Sequence, residues 1–438
     1  MKKILVTAVA VLLSLGISAQ ADSCKKTNRL SVTFDFLTHG EVCKGGLPMN
    51  AYDDNEKPSD QSSFVQGRTR LIMDYEHSYM KAKAVIKNSA VWGSKGNQDL
   101  GLSEGWVKLT APNGLFIQMG RIALSYDDER IIGPDDWVME TQSHDALLLG
   151  YEGRGHKIHG LLAYNQNSEN TYVTTYYEDG AQDYKTMQLL WYHYDIPKGT
   201  LGASFLFMNI GMQAGKKDDN PHTEYQQLMG CYVNFHPRNL TFEGSYYRQS
   251  GKNEYMCKID AWMASLKATF NPSERYGFEA GFDYLSGDDF VPVVYPGQQG
   301  MPHHYLNKGF TPVYGSHHQF YGLMDFFYES AYSMGFTPGL QNAYAGFYYT
   351  PNNKLNCGVK YHYLAVATNL EGLNRTLGHD IELEGSYQFT KDISLSAGYT
   401  FMVGTKTMDR LKHEEGDKYL RWGWISLLIS PKLFTSKW

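Results

Sequence analysis

Once its first 21 residues are set aside, the chain has no apolar run long enough to cross a bilayer as a helix. Such a helix needs about 20 consecutive apolar residues. A mean hydropathy of −0.43 likewise excludes a helical membrane protein. Cysteine is sparse, and Cys24, Cys43, Cys231, Cys257 and Cys357 are odd in number with no zinc-binding spacing. Cys24 and Cys43 are the pair an oxidising compartment would let bridge; otherwise the thiols read as small packing residues. Positive charge is not in excess, with 40 Lys and Arg against 46 Asp and Glu, which argues against nucleic acid as a partner. Nucleophile and metalloprotease signatures are missing, as is a phosphate loop. Ser143-His144-Asp145 has the composition of a triad, but contiguous strand residues point to alternate sides and cannot converge.

What is present begins with a secretory leader. Met1-Lys2-Lys3 is basic, Ile4 to Ile17 is mostly apolar, and Ala19-Gln20-Ala21 supplies the small residues of a cleavage site, so residues 1–21 are expected to leave the mature chain. The rest is rich in Tyr (33) and Gly (43), as strands and turns require. Between Arg275 and Leu285 the side chains alternate. Tyr276, Phe278, Ala280, Phe282 and Tyr284 fall on one face, and Arg275, Gly277, Glu279, Gly281 and Asp283 on the other. An apolar face tipped with Tyr suits lipid, and a charged, small-residue face suits a wet lumen. The same period recurs at 68–75, 78–88, 262–270, 355–363 and 381–389.

Connections supply the second signal. Tight turns such as Pro112-Asn113, Gly153-Arg154, Asn271-Pro272-Ser273 and Lys391-Asp392 alternate with long polar stretches at 39–62, 89–102, 123–142, 166–183, 211–223, 251–255, 287–338, 368–377 and 405–417. Eighteen strands fit between them, from 29–38 to 419–430, with both ends on one side. The expected fold is all-β: a single transmembrane antiparallel barrel of about 18 strands, residues 22–438, with short periplasmic turns and long outer loops. Residues 287–338 are expected to plug or constrict it, with Gln319 to Tyr328 packed in or over the pore rather than forming a nineteenth strand. A set of secreted β-sandwiches is the rival, and it would need apolar faces turned inward.

Gly120-Arg121-Ile122, then Asp128-Glu129-Arg130-Ile131-Ile132-Gly133, then Trp137, then Ser143-His144-Asp145, resembles the alginate-export family of outer-membrane barrels. The Tyr126-Asp127-Asp128 version, with Tyr314-Gly315-Ser316-His317-His318 and Tyr361-His362-Tyr363 further on, resembles the Bacteroidota branch. Ile122 stands where the family usually has Gln, and Asp127 replaces a common Gly. The resemblance implies an 18-stranded barrel with a charged pore in the outer membrane, and it leaves the solute unnamed. The terminal Trp438 resembles the signal read by the barrel-insertion machinery, an expected partner besides outer-membrane lipid.

By parity, Arg68, Arg70, Lys81, Lys83 and Lys108 share the wet face, and Arg121, Asp128, Arg130, Trp137, His144 and Asp145 cluster around the signature. Arginine matches carboxylates in two-pronged geometry, so the expected function is a porin-like channel for small hydrophilic, anionic solutes such as acidic sugars. Alternatively these cations pair with Asp74, Asp127, Asp128 and Asp145 to hold the wall and the folded loop. Arg121 falls in step with Leu115, Ile117 and Met119, which a bulge or a strand end at the rim would accommodate. Tyr314, His317, His318 and Asp325 are expected in the plug; Tyr126, Trp137 and Tyr314 are placed to stack on sugars or pack loops. No cofactor or metal is implied, although Asp127-Asp128 with Asp135-Asp136 could hold calcium in an outer loop. No enzyme is expected. A plugged surface-binding barrel and a barrel hydrolase are the rival functions.

Overall fold

The computed structural model describes residues 28–45, 61–95, 98–167, 176–177, 180–197, 199–288, 306–325, 327, 337–412 and 419–438. The leader and Cys24 lie outside them.

Eighteen strands form the wall: β1 (Arg29–Lys44), β2 (Gln61–His77), β3 (Met80–Val91), β4 (Gln98–Thr110), β5 (Leu115–Ile122), β6 (His144–Gly153), β7 (His156–Tyr164), β8 (Thr186–Asp195), β9 (Leu201–Lys216), β10 (Asp219–Phe235), β11 (Leu240–Lys252), β12 (Lys258–Ser273), β13 (Tyr276–Leu285), β14 (Leu340–Asn352), β15 (Leu355–Ala365), β16 (Thr376–Thr390), β17 (Ile393–Gly404) and β18 (Tyr419–Ile429). Each pairs antiparallel with the next. β18 resumes past Pro431 as Lys432–Lys437, and both parts pair with β1, which closes the barrel. Asn28 and Trp438 exchange backbone hydrogen bonds of 2.8 and 3.1 Å at the seam. Closure removes sheet edges, so the strands of the wall satisfy one another's backbone groups rather than facing lipid unpaired.

Alternation sorts the side chains as lipid and lumen require. Tyr276, Phe278 and Phe282 on β13 are 43–44% exposed on the outside, while Asp283 between its neighbours is 1% exposed inside. Across the seams Phe278 lies opposite Phe270 and Phe347, so the outer face is a sheet of apolar rings. Short turns join the strands at the end where the chain begins, and the longer connections lie at the other, where the β9–β10 turn is a short exception.

One expected loop is not a loop. Residues 211–223 continue β9 and β10 into a hairpin closed at Lys217-Asp218. Gln213, Lys216, Asp219 and His222 are polar without alternation because a hairpin standing beyond the bilayer is wet on both faces. Likewise β1 runs to Lys44 and β2 begins at Gln61, so the loop read at 39–62 is shorter. Gln319 ends a 3-10 turn (His317–Gln319), and residues 320–325 form no strand.

Candidate functional site: the lumen and its infolded segments

Two connections turn into the barrel. The first leaves β5 beyond Gly120, whose φ of +128° is strained for other residues and where a Cβ would lie 2.1 Å from the Gly105 oxygen. It then buries Leu124, Tyr126, Ile131 and Ile132. The second buries Phe310, Tyr314 and Tyr321. The two are stitched together: Tyr314 N donates to Ile131 O at 3.0 Å, Gly133 N to Tyr314 O at 2.7 Å and Ser316 N to Glu129 O at 2.9 Å. Together they pack on inward Met187, Leu189, Leu206, Met208, Leu228 and Tyr247. These inward positions on β8 to β11 are apolar because they face a protein core, not water.

Charged anchors pin this core to the wall. Arg68, 1% exposed, donates to the carbonyls of Asp136 (3.0 Å) and Val138 (2.8 Å). Arg70 spans Asp35 on β1 at 2.8 Å and Asp136 on the segment at 2.5 Å. Arg130 meets Asp128 at 3.2 Å, Asp283 on β13 at 3.1 Å and the Tyr321 hydroxyl at 3.0 Å, with the Phe320 ring 4.0 Å below its guanidinium. Burial works against the Arg130 charge, but Asp283, Tyr321 and Asp128 hold its proton well above the ordinary arginine range. From Asp283 the network runs through Asn342 (2.9 Å) to His362 (2.8 Å), and His362 lies 3.4 Å from Glu382. Glu382 accepts Leu323 N at 2.6 Å. Gly322, at φ +97°, has Asp380 Oδ2 only 3.2 Å from where a Cβ would sit, so the second segment passes close against β16.

Several expected site residues lie elsewhere than parity or clustering suggested. Arg121 and Asp145 face each other across β5 and β6 on the outer side, with 2.7 and 3.0 Å hydrogen bonds, in step with Met119, which is 64% exposed. They are not pore-lining. The parity was right, and the ion pair lets two charges stand at the rim on the lipid side. His144 points inward but is buried, 1% exposed, bonded to Tyr184 at 2.9 Å and edge-on to Tyr314 of the second segment at 5.3 Å. Asp128 and Arg130 are likewise internal to the core rather than lining open lumen. Trp137 stacks on His318 at 4.3 Å, with His39 at 4.5 Å and Trp424 at 4.8 Å, and His318 bonds Asp325 at 2.8 Å. His317 is buried beside Gly315, 3.1 Å from its amide.

The four acids proposed for calcium do not converge. Asp128 turns to Arg130, Asp136 to Arg68 and Arg70, and Asp127 to Trp191 Nε1 at 3.1 Å. Burial pushes the Asp127 carboxyl above its ordinary pKa, and donors at Ser204 and Trp191 pull it partly back. Ser204 bonds His193 at 2.7 Å, and His193 bonds Asp195 at 2.9 Å. That chain has the composition of a hydrolase triad. Ser204 is 5% exposed and also bonded to Asp127, so it fastens the first segment to β9.

Three lysines keep an inward, partly exposed position. Lys81 pairs with Glu76 at 2.9 Å, Lys83 with Glu104 at 2.6 Å and Lys108 with Glu152 at 3.2 Å. The expected pairing of cations with acids is thus general: Asp128 and Asp145 hold Arg130 and Arg121 as anticipated, whereas Glu76, Glu104 and Glu152 are partners that went unread. Asp35, Glu104, Glu152, Asp283, Asn342, His362 and Glu382 went unread as site residues. Parity puts Asp283 and Glu382 on polar faces, yet no local signal joins Asp283 to Arg130, 153 positions away (283 − 130).

Residues 94–404 match the family model described as alginate export, about 71% of the chain (311 of 438). The chain belongs to the alginate export family. It is an outer-membrane barrel of porin type. Among solved structures it is similar to OccK9 (OpdG) of Pseudomonas aeruginosa, with TM-score 0.61 and 10% identity over 92% of this chain and 98% of that one. OccAB1 of Acinetobacter baumannii gives TM-score 0.58 and 13% identity, covering 93% and 97%. OccK2 (OpdF) of Pseudomonas aeruginosa, solved in complex with glucuronate, gives 0.58 and 10%, covering 92% and 98%. At these identities the likeness is one of fold. A search of curated proteins found no match.

Proposed function

We propose that this barrel passes small hydrophilic solutes across the outer membrane and favours acidic ones of uronate size. The observation carrying the preference is the inward pair Lys83 and Lys108, on adjacent strands, with side chains 27% and 20% exposed. A lysine ammonium has three donors, so one engaged by a glutamate still has hydrogens to offer a passing carboxylate. Lys81 extends the row toward the periplasmic end, across from Lys108 in register. The glucuronate complex of OccK2 supports acidic sugars as the class to try first.

Reversal potentials across a potassium chloride gradient test the reading. Chloride preference that falls in Lys83→Ala/Lys108→Ala supports it, and cation preference in the native channel refutes it. A second reading is a barrel that conducts little, supported by the core that both infolded segments build in the lumen. Absence of unit current in planar bilayers would favour that reading instead.

A further inference from the structure

At the outer mouth the ends of β1, β2 and β18 and the two infolded segments enclose a cleft of about 500 Å³. That falls within the roughly 300–1,000 Å³ typical of small-molecule sites. Phe64, Trp137 and Trp422 supply rings; Glu41, Glu140 and Asp325 supply carboxylates; Gln66 supplies an amide. No lysine, arginine or histidine is among the described lining residues.

Glu41 differs from four other inward acids of the wall. Asp35, Glu104, Glu152 and Asp283 each take a cation from Arg70, Lys83, Lys108 and Arg130. The two oxygens of Glu41 accept Gln66 Nε2 at 3.0 Å and Trp422 Nε1 at 3.1 Å, both neutral donors. Among the described residues no cation pairs with it. Two neutral donors fix the carboxylate in direction and leave its charge uncompensated. A half-enclosed anion of this kind gains most from a ligand that brings a positive charge. The ring of Phe64, 37% exposed, favours the same ligand, through cation–π attraction and through stacking on the apolar face of a sugar. Ser62 and Gln66 are placed among the lining to meet hydroxyls.

We propose that this cleft binds a protonated amine carried on a sugar-sized ring, an amino sugar being the ligand class. The site is opposite in charge preference to the deeper lysine row and does not depend on it.

Three pyranoses of one size separate charge from shape: glucosamine, glucose and glucuronate, titrated calorimetrically into the full folded chain in detergent. Glucosamine is expected to bind about tenfold more tightly than glucose, the worth of one charge-assisted contact. Glu41→Gln is expected to erase that advantage, so that glucosamine and glucose bind the variant alike. Equal affinity for glucosamine and glucose in the native protein overturns the proposal, as does an advantage that survives Glu41→Gln. The native comparison stands even if the variant fails to fold.

Discussion

Arg68 and Arg70 on β2 and Lys83 and Lys108 on β3 and β4 carry the same charge on the same inner face, yet they serve different ends. The arginines reach off the wall to Asp136 and Val138 of the first infolded segment and are 1% and 14% exposed in their side chains. The lysines pair with Glu104 and Glu152, which belong to the wall itself, and stay in reach of water. The chemistry of the two cations explains the division. A guanidinium offers several fixed donors and can hold a carboxylate and carbonyls at once, which clamps a chain. An ammonium is a movable point charge, suited to exchanging one partner for another. A row of inward cations is therefore not one device. Part of it holds the infolded segment, and the rest is the part proposed to meet the solute.

Variants of each set separate these roles. The deepest clamp should give the largest response. Asp283→Ala leaves Arg130 buried without its wall partner, a loss of roughly 3–5 kcal/mol for a buried pair broken on one side. It is expected to lower the temperature at which the folded barrel form disappears on a gel. Arg68→Ala/Arg70→Ala releases the first segment from β2 while the Arg130 anchor remains, so the barrel stays folded and its unit current rises. Lys83→Ala/Lys108→Ala should leave the unit current close to native and shift the reversal potential toward zero. The smallest response belongs to Arg121→Ala. Its pair with Asp145 is 35% and 41% exposed at the outer rim, worth under about 1 kcal/mol, and selectivity should not change. A selectivity change in Arg121→Ala would mean that the rim pair influences the passage after all.

The wall was legible because one rule, two-residue alternation between lipid and lumen, repeats in every strand. Tyr276, Phe278 and Phe282 announce their face without reference to any other part of the chain. Turn residues punctuate the strands equally locally, and the count of eighteen follows. The hairpin at 211–223 was lost where that rule stops applying, beyond the membrane. The site was less legible. Parity identified Arg68, Arg70, Lys83 and Lys108 as inward and Arg121 as outward, but inward does not mean solvent-facing once loops fill the lumen. Nothing near Met187, Leu206 or Met208 says that a segment from residues 123–142 will cover them. The partners of Arg130 lie on β13 and in the second segment, joined to it only by closure of the barrel. Pairings across that distance arise from topology, and periodicity carries no record of them.

The clamp is tested most directly by single-channel current recorded for the native protein and for Arg68→Ala/Arg70→Ala under the same voltage and salt. A larger unit current in the variant, with the sign of the reversal potential retained, is the predicted result. Equal currents in the two proteins would contradict it, because the segment held by Asp136 would then not be what narrows the lumen.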